Sequence, residues 1–215
     1  VDGGAYCFSC NTYNPNGDAG KTTDKHEGHR TMAGNLIQDV DPVTLVARKI
    51  NEQTCRHMGY GNAHYKRKPV QVANYYNTDG QVVAQKVRDK DKNFVFIGNT
   101  KEALMFNQQN CRGNGKKLTI TEGEIDALSV SQAFDNKWDV VSISSGASGA
   151  RREIAKHLEF ISGYDEIVLW FDNDRAGREA LDSVIPILPI GKVKIARHVD
   201  YKDANDVLKH LGKAG

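Results

Sequence analysis

The chain has 215 residues, of which 39% are hydrophobic and 26% charged, and a formal net charge of +2. That length holds one or two small domains with a real core, and the composition is that of a globular protein. No apolar run approaches the ~20 residues that a membrane-spanning helix needs, the opening VDGGAYCFSC lacks the basic and apolar regions of a signal peptide, and so small a net charge does not by itself announce a nucleic-acid binder.

Residues 1–20 read as a hairpin remnant: a Gly turn, CFSC, then NPNG. Of the four cysteines, Cys55 and Cys111 stand alone, whereas Cys7 and Cys10 are spaced as half a metal site rather than a disulfide. His26 and His29 offer a weak completion of such a site. Residues 21–40 are polar and poorly periodic and read as a linker. DPVTLVARK then predicts a helix with Asp41 as N-cap and Pro42 at its first position. INEQTCRHMGY predicts a second short helix, and VQVANYYNTDGQVVAQKVRDKDKNFVF a hairpin turning at Asn77–Gly80.

From Lys116 the rhythm changes. KLTIT, DVVSIS, EIVLWF and KVKIAR read as strands, and EIDALSVSQAF, RREIAKHLEFI and RAGREALDSVIPIL as the helices between them. Short β-branched runs alternating with amphipathic segments predict a parallel sheet flanked by helices. The fold class is therefore α/β: an α+β N-terminal part with a β-hairpin over residues 41–115, then a Rossmann-like parallel sheet over residues 116–208, with residues 209–215 beginning a linker.

The acids gather where strands end. Glu122 follows the first strand of the sheet, and Asp172 and Asp174 follow EIVLWF. Open α/β sheets bind ligands outside the carboxyl ends of their strands, so these three are expected on one rim. Asp203 and Asp206 follow the last strand. An Asp-x-Asp pair alone is more often a solvated loop or helix cap. A calcium loop does not fit DNDRAG, because Ala176 and Ser183 fill its fifth and twelfth positions. Carboxylates from two strand ends of one sheet instead favour Mg²⁺ or Mn²⁺.

These residues resemble a known family. Glu122-Gly123-x-x-Asp126 after a strand, followed by Asp172-x-Asp174, is similar to the Toprim domain of DnaG-type primases, topoisomerases and some nucleases. With QKVRDKDKNF, a Gly-Ala-Ser turn, FDNDRAGR and KDAN in this order, the chain resembles the primase half of the primase-helicases of short-tailed phages, whose architecture mitochondrial relatives share. The resemblance implies catalytic Glu122, Asp172 and Asp174, which bind Mg²⁺ or Mn²⁺, with Glu122 either a ligand or the general base. It implies nucleotide or template contacts from Asp126 and Asp203. It also makes Cys7 and Cys10 the end of a four-cysteine zinc ribbon whose upstream pair is not in this sequence, so Zn²⁺ is expected only if that ribbon is complete.

Lys86, Arg88, Lys90 and Lys92 fall on alternate positions and would share one face of an extended segment. The plain reading is an edge strand defended by charge. Beside an acidic rim, and with the resemblance, the row reads as a track for nucleotide phosphates or the template backbone. Arg67, Lys68, Arg151, Arg152 and Arg178 are weaker candidates. The turn Ser144–Gly149 opens a helix and reads equally as an anion cradle or as a tight structural turn; it is not a P-loop.

The preferred function is an enzyme, a primase-type RNA polymerase and nucleotidyltransferase that makes RNA primers on single-stranded DNA from ribonucleoside triphosphates by two-metal catalysis. A helicase domain downstream in the same polypeptide is the expected partner, with no membrane contact. The expected location is the cytoplasm of a phage host, with mitochondria as a minor alternative. The other two readings are a non-catalytic single-stranded-DNA-binding or packing module of a replicative helicase, and a Toprim nuclease.

Overall fold

The computed structural model describes residues 36–91 and 93–214, and the backbone of residues 5–7 and 12–14. Contacts divide the chain into two compact units, Val1–Arg30 and Thr31–Gly215. In the first, β1 (Ala5–Cys7) pairs antiparallel with β2 (Thr12–Asn14), the hairpin expected there. Cys10, the Cys7 side chain, His26, His29 and most of the expected linker lie outside the described residues, and so does Lys92.

The second unit opens with a departure from expectation. DPVTLVARK forms no α-helix. Asp41 is committed to a backbone bridge with Asn62, donating at 2.8 Å and accepting at 2.9 Å. Only Val46–Arg48 coils, as one 3-10 turn that ends with Lys49 in the left-handed region. The second prediction holds. Asn51 caps α1 (Glu52–Met58) by accepting from the Thr54 N–H, and Gly59 closes it at φ 70°.

Four antiparallel strands follow as a meander: β3 (Tyr60–Tyr65), β4 (Lys68–Tyr76), β5 (Val82–Arg88) and β6 (Phe94–Gly98). The expected hairpin is its β4–β5 pair. The Asn77 side chain accepts from the Asp79 and Gln81 N–H groups and so closes that turn.

The parallel sheet contains β7 (Gly115–Thr121), β8 (Asp139–Ser142), β9 (Tyr164–Trp170) and β10 (Val193–Ile195), in the order β10-β9-β7-β8. The chain leaves β7 toward β8, returns to the far side of β7 for β9, and continues outward to β10. The strand order therefore reverses between β7 and β9, where doubly wound sheets open a crevice at their carboxyl ends. The intervening helices are α2 (Glu124–Ala133), α3 (Gly146–Lys156) with α4 (Leu158–Ser162), and α5 (Arg175–Val184). The sequence reading lacked α6 (Ala204–Leu211), which packs on α2.

One core cluster binds the two halves of this unit. It joins Tyr75 and Phe96 of the antiparallel sheet to Leu128 of α2, Val140 of β8 and Leu208 of α6. Helix α2 is thus covered on nearly every side, and Ala127, Ser129 and Ser131 keep it narrow enough to fit. A second cluster, including Leu118, Ile120, Ile154, Leu169 and Val184, fills the side of the parallel sheet that carries α3 and α5.

Candidate active site

Glu122 leaves the end of β7, and Asp172 and Asp174 leave the end of β9, so the three flank the reversal point as expected. Glu122 Oε2 accepts from the Asp172 N–H at 3.3 Å. Burial, then the Asp172 carboxylate, holds Glu122 above the ordinary carboxylate range. Burial also raises Asp172, against the pull of Lys202. Asp174 behaves differently. Its Oδ1 caps α5 by accepting from Gly177 N–H at 3.0 Å, and that bond, chief among several, lowers its pKa. Gly177 is required here because a Cβ would come within 2.1 Å of the Asp172 carbonyl oxygen.

Asp126 and Asp203 lie beside this rim on helix termini. Asp126, in the first turn of α2, accepts from the Asn205 N–H at 3.0 Å. Burial, and next the charge of Asp203, pushes its pKa up to about 8. Asp203 caps α6 by accepting from the Asp206 N–H at 2.7 Å.

Lys202, Arg48 and Tyr75 join the site without being singled out by the sequence, and Glu124, one of the acids where β7 turns into α2, joins with them. Lys202 Nζ bridges Asp172 (2.9 Å) and Asp174 (3.2 Å), which holds its pKa above the ordinary lysine value. Arg48, on the 3-10 turn, donates to the Asn205 side chain at 3.1 Å. Glu124 receives Lys86 at 2.8 Å and a short hydrogen bond from the Tyr75 hydroxyl. A KDAN motif gives a hint of Lys202. The others act through contacts remote in sequence.

The basic row divides. Lys86 and Arg88 share one face of β5 and line a cavity of about 210 Å³ with Tyr60, Gln71, Phe94 and Glu124. Lys86 also donates to the Ser144 carbonyl at 3.0 Å and lies over the Phe94 ring, 4.8 Å from its centroid. The alternation then stops: Lys90 is exposed in a turn after β5, which Asp89 closes by accepting from the Asp91 and Asn93 N–H groups. Among the weaker candidates, Arg67 lies in the β3–β4 turn at φ 64°, Lys68 begins β4, and Arg151, Arg152 and Arg178 are exposed on α3 and α5.

The Gly/Ser turn holds an internal anion. Ser144 and Ser145 give both their N–H groups and both hydroxyls to the Glu153 carboxylate at 2.7–3.1 Å. Those donors serve the tight structural turn.

Glu122, Asp172 and Asp174 are hard oxygen donors, and the crowding of two of them is what a divalent cation offsets, so the donor set fits Mg²⁺ or Mn²⁺. Among the described residues, no three His, Cys, Asp or Glu side chains gather closely enough to make a preformed metal site.

Comparison with known proteins bears on this arrangement. Residues 42–98 match the family described as bacteriophage T7 DNA helicase/primase, N-terminal a+b fold, and residues 119–208 match the Toprim-like family. The crystal structure of the primase fragment of the bacteriophage T7 primase-helicase superposes with a TM-score of 0.78 at 36% identity, over 98% of this chain and 87% of that one. The chain belongs to the family of T7-type primase-helicases. The DNA helicase/primase of Enterobacteria phage T3 is 38% identical over 213 residues, which is 95% of this chain and 37% of that protein. The chain thus spans little more than a third of that relative's length. The primase domains in a structure of the T7 lagging-strand DNA polymerase, described there as bound to an RNA/DNA hybrid and dTTP, match at 40% identity and a TM-score of 0.74, over 80% of this chain and 87% of that one. The α/β fold, with its antiparallel sheet preceding a Toprim sheet, is the fold of this family.

Proposed function

We propose that this chain is the primase module of a primase-helicase and synthesises short RNA primers on single-stranded DNA from ribonucleoside triphosphates. The observation that carries the proposal is one juxtaposition. Glu122, Asp172 and Asp174 occupy the reversal point of the parallel sheet, and Lys86 and Arg88 line a cavity whose wall includes Gly123 and Glu124, the residues next to Glu122. Family membership, and the nucleic acid and nucleotide bound to the T7 primase domains, support the same reading.

In this mechanism Asp172 and Asp174, with or without Glu122, hold Mg²⁺ or Mn²⁺. Held there, the ion would supply the positive charge that offsets the negative charge developing on the triphosphate as pyrophosphate leaves. Glu122 has a raised pKa, which makes its carboxylate a better proton acceptor than an ordinary glutamate. It either takes the proton of the primer 3′-hydroxyl or serves as a ligand. Arg88 holds a phosphate of the nucleotide or template, and Lys86 fixes that wall of the cavity through Glu124. Lys90 extends the basic surface beyond β5, Lys92 is a further proposed phosphate contact, and Asp126 and Asp203 hold the α2 and α6 termini against the rim. The proposed division places the basic module at 41–115, the Toprim module at 116–208, a partial zinc ribbon at 1–20 with Cys7 and Cys10, and linkers at 21–40 and 209–215. Zn²⁺ belongs to the account only where that ribbon is complete.

The intact protein continues into a helicase domain, as the phage relatives' names describe, and works in the cytoplasm of the infected host. Those relatives give the mitochondrial alternative no support. Among the described residues, no helix is long and apolar enough to cross a membrane. The test is incorporation of labelled ribonucleotides on single-stranded DNA with Mg²⁺ or Mn²⁺ and a preformed diribonucleotide. Template-dependent oligoribonucleotides are expected. Degradation of the DNA instead would assign the site to a nuclease.

A further inference from the structure

Asp172 and Asp174 already share a cation that belongs to the chain. Lys202 Nζ lies 2.9 Å from Asp172 Oδ2 and 3.2 Å from Asp174 Oδ2. The backbone enforces this meeting. The N–H of Asn173, the residue between the two acids, donates to the Lys202 carbonyl at 2.6 Å. Asp174 commits Oδ1 to the Gly177 N–H, which leaves Oδ2 for a cation. The lysine thus stands on oxygens that a divalent ion would take, and two cations do not occupy one position. A half-exposed lysine pair of this kind is weak, so a doubly charged hard ion displaces it.

We propose that Lys202 is a built-in counter-cation, which holds the Asp172–Asp174 pair in place until a divalent ion displaces it and then turns to the phosphates of the incoming nucleotide. This rests on the metal assignment made above. It adds that loading the ion and releasing an ammonium group at the rim are one event. The anion that arrives next, a nucleoside triphosphate, gives the freed ammonium its new partner.

The test uses the full 215-residue chain. Its lysines are ¹³C-dimethylated, and the Lys202 signal is assigned by its loss in Lys202→Met. Mg²⁺ should move that signal to saturation, and the signal should not move in Asp172→Asn/Asp174→Asn. Counting free Mn²⁺ by electron paramagnetic resonance, Lys202→Met should bind the ion roughly twofold to fivefold more tightly, as loss of a weak competing pair requires. Its affinity for ATP in saturating Mn²⁺ should fall. Lys209→Met, which removes a lysine paired with Asp206 on α6, should match wild type in both measurements. A Lys202 signal that ignores Mg²⁺, or a Lys202→Met variant that binds Mn²⁺ no more tightly, overturns the proposal. If the double asparagine variant binds Mn²⁺ like wild type, the metal assignment itself fails and takes the proposal with it.

Discussion

The side chain of Asn205 holds both the backbone and the side chain of Arg48. The Asn205 amide nitrogen donates to the Arg48 carbonyl at 2.9 Å, and its amide oxygen accepts from Arg48 Nη1 at 3.1 Å. The same amide nitrogen reaches Ser129 Oγ of α2 at 2.9 Å. A buried asparagine on α6 therefore fixes the 3-10 turn of the N-terminal half to two helices of the Toprim half. Asn205→Ala should cost about 2–3 kcal/mol in urea unfolding, the loss of several buried hydrogen bonds. Amide exchange should rise at Val46–Ile50 ahead of the sheet strands. Unchanged exchange there would remove Asn205 as the tie.

Lys86 and Glu124 form an ion pair with side chains only 13% and 12% exposed. Removing one partner of such a pair strands the other, so Lys86→Met should destabilise the chain by about 2–4 kcal/mol. Lys86→Met/Glu124→Gln should recover part of that loss, a coupling that a double-mutant cycle in urea reads directly. Additive losses would mean that the two side chains act independently.

Gly177 lets the first turn of α5 close over Asp172. Gly177→Ala should lower stability by about 2–3 kcal/mol through overpacking, and should lower primer synthesis more than stability alone explains, because the backbone that moves is that of a proposed metal ligand. Gly123→Ala is the comparison: its Cβ would meet the Asp126 carboxylate at 3.2 Å, and the milder contact predicts a smaller loss. Equal effects from the two variants would contradict this ranking.

The raised pKa of Asp126 sets a pH dependence. Its folded-state value is about 8, against an ordinary value of 3.8. Between those limits the unfolded chain has lost a proton that the folded chain keeps, so this group's contribution to stability falls as pH rises from about 4 to about 8, then levels. Asp126→Asn keeps an acceptor for the Asn205 N–H and removes the titration. Relative to wild type, the variant should gain about 2–3 kcal/mol between pH 5 and pH 8, a figure reduced because Asp126 still touches solvent. Urea unfolding across that range checks it, and a constant difference between the two proteins would refute it.

The parallel sheet and its acidic rim were legible because both follow from local pattern. Four β-branched runs alternate with helical segments, and acids follow two of the strands. DPVTLVARK misled because its cap-like Asp41 and Pro42 are a local signal, while the Asp41 backbone is claimed by Asn62 from β3. Alternation predicted one face for four basic residues, but the Asp89 turn ends the strand after Arg88. Arg48 and the pairing of Glu124 stayed hidden for the same reason: the partners, Asn205 for Arg48 and Lys86 and Tyr75 for Glu124, lie far away in sequence. Local pattern located the acidic end of the sheet together with Lys86 and Arg88, whereas the placing of Lys202 and Arg48 beside it needed the folded chain.

The central claim is that the Glu122, Asp172 and Asp174 rim joins ribonucleotides on a DNA template. The most direct measurement compares the chain with Asp172→Ala/Asp174→Ala in extension of a diribonucleotide on single-stranded DNA, with labelled ribonucleoside triphosphates and Mg²⁺ or Mn²⁺. The account predicts template-dependent RNA products from the unaltered chain and none from the variant, with both proteins folded by circular dichroism. RNA products of equal yield from the two proteins, or no product from the unaltered chain while it still binds DNA without metal, would contradict it.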